Sequence, residues 1–83
     1  MAVGRTGNRH PAQVELGRRA RARRVELGLS QMALAEEIGL HFTFVSEVER
    51  GERNLSLSSL LRLAEGLEMN PADLVEDLRW SGS

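Results

Sequence analysis

His10 and His41 are the only imidazoles in this 83-residue chain, and there is no cysteine. Disulfides, thiolate metal sites and thiol nucleophiles are therefore excluded. No His–Glu spacing puts two ligands on one helix face, so no metal site is expected. His41 reads instead as a helix cap. The serines at 30, 46, 56, 58, 59, 81 and 83 are explained by caps, exposed faces and tails, and none stands in a nucleophile–base constellation. No glycine-rich loop is present to cradle a phosphate. An enzyme is not expected, nor a cofactor or a small-molecule ligand. The chemistry left to this chain is ion pairing and hydrogen bonding from its surface.

That surface is strongly asymmetric. Residues 1–24 hold Arg5, Arg9, Arg18, Arg19, Arg21, Arg23 and Arg24 against a single acid, Glu15. Residues 25–83 hold four arginines against eleven acids, and the whole chain carries −1. A basic segment beside an acidic one implies a positive face for a polyanion and an acidic face turned elsewhere. No run approaches the roughly 18 apolar residues of a membrane span. No basic-then-apolar signal segment opens the chain. A soluble protein is expected, with no membrane partner and a cytoplasmic location, to which the lack of cysteine is suited.

Five short helices must position these groups, with no segment alternating in the manner of a strand. Residues 1–9 carry no apolar period and read as a disordered arm, residues 10–80 as one domain, and 81–83 as a flexible tail. The first helix runs from about Pro11 to Leu27, with proline suited to its first turn and Gly28 just past its end. Ser30 caps a second helix that ends at Gly39. The third runs from about His41 to Arg50 and is stopped by Gly51. Ser56 caps the fourth, with Leu57, Leu60, Ala64 and Leu67 at helical spacing. Asn70, Pro71 and Asp73 open the fifth, whose apolar residues are Leu74, Val75 and Leu78, with Trp80 at its frayed end.

The stretch Gln31 to Arg50, QMALAEEIGLHFTFVSEVER, meets the demands of two helices crossing steeply through a short turn. Ala35 is small where the second helix crosses the first, and Gly39 tolerates the positive φ of the turn. Leu34, Ile38, Leu40, Val45 and Val48 supply the shared core. A generic helical hairpin would explain those positions, but not the residues left outside. Phe42, Thr43, Ser46 and Glu47 remain on the outer face of the third helix, and an aromatic exposed at a helix start calls for a partner.

From Leu16 to Leu78 the chain resembles the Xre, or phage repressor and Cro, family of bacterial regulators. The phrases LGLSQ, LAEEIGL, VSEVERGERN and SLSSLLRLAEGL carry the likeness, and VERGERN is also similar to the restriction–modification controller subgroup. The resemblance implies an all-α, five-helix, repressor-like fold whose helix at about 42–50 lies in the major groove of double-stranded DNA. It implies that Phe42, Thr43 and Glu47 approach base edges and that Gln31 and Arg50 contact phosphates. Ser46, on the same outer face, joins the expected base-contacting set, and Arg53 and Arg19 are expected as further phosphate ligands. The resemblance also implies a structural ion pair between Arg24 and Glu49. Phe42 departs from the polar or basic residue more common at its place in the family.

The residue chemistry agrees with those roles. A helix start offers free N–H groups to a phosphate beside Gln31. Thr43 can exchange hydrogen bonds with a base, Phe42 can meet a thymine methyl, and Glu47 can accept from cytosine N4. One helix in one groove reads few base pairs, so a homodimer on a palindromic operator is expected. Leu61, Val75, Leu78 and Trp80 are the apolar groups assigned to the dimer interface. The alternative is a protein-interaction adaptor or antitoxin using the same fold.

Overall fold

A computed structural model describes residues 9–80, so the expectations for residues 1–8 and 81–83 lie outside it. Among the described residues there are five helices: α1 Pro11–Glu26, α2 Gln31–Ile38, α3 Phe42–Glu49, α4 Leu57–Gly66 and α5 Pro71–Val75. The fold is the all-α arrangement expected.

Each helix starts on a side chain that satisfies an otherwise free backbone N–H. Nδ1 of His10 accepts from Ala12 N, while the Gln13 side chain accepts from His10 N, closing a capping box on α1. Ser30 caps α2 through Ala33 N, and His41 caps α3 through Thr43 N. Ser56 and Asn70 do the same for α4 and α5. Gly39 ends α2 in the left-handed region at φ 69°, and Leu40 N then donates back to Ala35 O. That sharp stop lets α3 leave at a steep angle to α2.

The core is built around α3, which packs on both α1 and α2. Leu34, Val45, Val48, Leu63, Leu67 and Leu74 are its largest fully buried side chains. α4 covers α2, and α5 closes the gap between α4 and α1. Two glycines set how closely the helices approach. A Cβ on Gly17 of α1 would stand 2.2 Å from the carbonyl oxygen of Val48, and one on Gly66 of α4 would stand 2.3 Å from Cγ2 of Ile38. Both contacts are closer than any side chain allows, so glycine is what permits them.

Three expectations change. Leu57 is 70% exposed, and the inward stripe of α4 is Leu60, Leu63, Ala64 and Leu67. Phe44, given no role above, is buried beside Val45 and Val48. α5 is only five residues long, because Glu76 turns to an extended backbone and Asp77 takes φ 64°. Leu78 is carried back against the core by that turn.

Candidate nucleic-acid interface

With Phe44, Val45 and Val48 turned inward, α3 presents Phe42 and Thr43 to solvent and Ser46 and Glu47 half-exposed. These four share the outward face of one helix, at the positions 1, 2, 5 and 6 of its eight residues. The face is polar except for Phe42, which is 42% exposed at the helix start.

The arginines nearest this face are not free. Arg53 donates from Nη1 to Oε1 of Glu47 at 2.7 Å, and its guanidinium carbon lies 5.2 Å from the ring centroid of Phe44. Arg50 donates to Oγ of Ser46 at 2.7 Å and to Oε1 of Glu52 at 3.1 Å. The four charged side chains of these pairs remain within reach of solvent.

Beneath the face lies a second network, and this one is buried. Arg24 meets Glu49 through two hydrogen bonds, and its third donor goes to Leu29 O at 2.7 Å. The Glu49 side chain is 4% exposed and also accepts from Nε2 of Gln31 at 3.0 Å. The paired donors and acceptors satisfy the charge that burial would otherwise make costly. Hydrogen bonding to Glu49 holds Arg24 charged above its ordinary range. Glu49 thus ties the C-terminal turn of α3 to α1 and to the first residue of α2.

Arg19 has a structural post, which revises its expected role. Its guanidinium reaches Glu15 and the carbonyl oxygens of Asp73 and Glu76, closing the free end of α5. A seven-arginine segment gives no sign of which guanidinium will find such carbonyls. Arg23 is used in the same way, on Leu67 O and Glu68 O at the end of α4. Arg18 pairs with Glu15, whose carboxyl is held down at about 2 by hydrogen bonds from Arg18 and Arg19. Arg21 is exposed, with its Nε 4.0 Å from Glu49.

Of the four apolar residues assigned to a dimer interface, three remain exposed. Leu61 and Val75 are exposed, while Leu78 is engaged with its own core. Trp80 is solvent-accessible on one side and stacked on His10 on the other, with ring centroids 3.5 Å apart and planes 10° apart. Leu61 shares a shallow groove with Met69 and Pro71.

A short two-helix unit that buries one side of its second helix and offers the other defines a helix-turn-helix domain. The chain belongs to the helix-turn-helix family of the Xre/Cro–C1 type, whose family model matches residues 21–74. It is similar to control protein C.BamHI of Bacillus amyloliquefaciens, 42% identical over 48 residues. That match takes in 58% of this chain, which spans 59% of the length of that relative. The fold is similar to the crystal structure of restriction–modification controller protein C.AhdI from Aeromonas hydrophila, with a TM-score of 0.72 and 45% identity. That likeness covers 75% of this chain and 94% of C.AhdI. The controller protein C.Esp1396I, solved as a tetramer in complex with its natural 35 base-pair operator, is 31% identical with a TM-score of 0.72, covering 82% of this chain and 90% of its own.

Proposed function

We propose that this chain is a sequence-specific, double-stranded DNA-binding transcriptional regulator of the controller type, acting as a dimer. The observation that carries the reading is the outward face of α3. Phe42, Thr43, Ser46 and Glu47 stand clear of the core and are flanked by Arg50 and Arg53. An α-helix fits the major groove, where hydroxyl, carboxylate and apolar groups can each find a matching base edge.

In this reading Thr43 exchanges a hydrogen bond with a base and offers its methyl to a thymine. Phe42 packs on a thymine methyl or sugar at the groove wall. Gln31, Arg50 and Arg53 take the phosphates on either side and fix the register of α3. Arg19 is left out of the phosphate set, since its guanidinium already bonds Glu15 through Nε and the carbonyl oxygens of Asp73 and Glu76 through Nη1. The buried Arg24–Glu49 pair supports reading by holding α3 rigidly against α1 and α2, which keeps the face in one orientation.

Two copies are joined in this proposal through Leu61 of α4 and Val75 of α5, with Met69 and Pro71 alongside. Their α3 helices then address half-sites about 34 Å apart on one face of the duplex. The acids of residues 65–77 rim that junction, far from the DNA. The relative C.Esp1396I, solved as a tetramer on its natural 35 base-pair operator, favours more than one copy acting together on DNA.

A gel-shift series at rising salt on a duplex selected from a random library tests the reading. A regulator loses affinity steeply, by a slope of about −0.9 for each phosphate contact. An adaptor on the same fold would select no motif and show no such slope, and the proposal would fall.

A further inference from the structure

Both arginines beside the outward face of α3 are held by carboxylates of their own chain. Glu47 takes Arg53 and Glu52 takes Arg50. The first pair is the better built. Its N–O distance is 2.7 Å, it joins α3 to the segment that follows it, and the guanidinium is further seated over the Phe44 ring. A solvent-exposed pair of this kind contributes little to folding, so stability does not account for placing two of them on one face.

We infer that Glu47 is a positioning and specificity-determining residue that acts through Arg53, occupying its guanidinium as an internal stand-in for DNA phosphate. The inference rests on the DNA-binding reading above and deepens it. In the free protein Arg53 is pre-placed, and it is neutralised as well. Any duplex that draws Arg53 to a phosphate must break the pair and leave the Glu47 carboxylate beside a polyanion. A cognate site repays that loss by presenting a base amino group to Glu47; a non-cognate site does not. The pair therefore subtracts from binding to every sequence, and the right base edge returns what was subtracted. Discrimination rises because the penalty falls on every sequence and only the cognate base edge relieves it. Glu52 does the same to Arg50 with a weaker hold, since Arg50 also has Ser46.

The test is a double-mutant cycle of Glu47→Gln and Arg53→Ala, read on a random-sequence duplex and on the selected operator across a salt series. Circular dichroism melts establish that each variant is folded. Glu47→Gln is expected to bind random duplex more tightly, with a salt slope steeper by about 0.9 as Arg53 is released to a phosphate. It should also narrow the ratio between operator and random duplex. In the Arg53→Ala background the same Glu47→Gln change should leave the slope unmoved. Simple relief of repulsion would instead tighten binding equally in both backgrounds, and that result overturns the inference. So does an unchanged slope in Glu47→Gln while the parent protein binds its operator. A parent protein that binds neither duplex removes the DNA-binding reading itself, and the inference with it. Glu52→Gln provides the second variant, with the same steepening expected through Arg50.

Discussion

Arg24 grips Glu49 with a two-pronged contact, Nε to Oε2 at 2.6 Å and Nη2 to Oε1 at 3.0 Å, between side chains that are 11% and 4% exposed. The pair joins residues 25 apart in sequence and fixes the end of α3 to α1. Replacing Glu49 by alanine strands the guanidinium in a place that water barely reaches. Breaking a buried pair by removing one partner costs about 3–5 kcal/mol. A domain of this size has about 5–15 kcal/mol to lose at most, so Glu49→Ala should melt far below the parent or fail to fold. Calorimetry or a circular dichroism melt decides it, and equal melting temperatures would refute the role given to the pair.

Gly17 makes a second, independent claim on the α1–α3 junction. A methyl group there would stand 2.2 Å from Val48 O and 3.0 Å from Glu49 O. Both obstacles are backbone atoms, so neither can swing away. Alanine ordinarily favours a helix over glycine by up to about 1 kcal/mol. Overpacking costs about 1–3 kcal/mol and wins here, because α3 as a whole must move. Gly17→Ala should lower the midpoint of urea unfolding and, by shifting α3, weaken DNA binding. A stabilised variant would show that α1 and α3 are further apart than described.

The dimer proposal makes a sharp prediction about two exposed residues. Leu61→Asp or Val75→Asp should leave the fold intact, since both side chains already meet solvent. Either should convert a dimer into a monomer in sedimentation at tens of micromolar and remove cooperative binding to a palindrome. A parent that sediments as a monomer, yet binds one half-site tightly, would contradict the assembly.

How much of this was legible in the sequence depended on how local the cause is. Caps are local: Ser30, His41, Ser56 and Asn70 act on N–H groups two or three residues away, and their chemistry shows in the string itself. Gly39 and the core set Leu34, Ala35, Ile38, Val45 and Val48 were legible because a steep two-helix crossing constrains them together. Phe44 was not, because Phe42 and Phe44 differ only in which side of α3 meets α1 and α2. The leucines of α4 offer two overlapping stripes, and only packing against α2 chooses Leu63 over Leu57. Gly17 reads as a weak helix residue until the Val48 carbonyl is seen against it. Arg19 and Arg23 look like the rest of a basic run, and the carbonyl oxygens they serve are more than 40 residues away.

Thr43 is the simplest probe of whether the outward face of α3 reads bases. Thr43 is exposed and outside the core, so Thr43→Ala should fold as the parent does. Selection from a random duplex library should be run on parent and variant side by side. One shared motif is expected, with the variant's preference relaxed at one or two base pairs, a loss of about 1–3 kcal/mol there, and an unchanged salt slope. An identical motif from both proteins would contradict the docking of α3, and no motif from the parent would contradict the function itself.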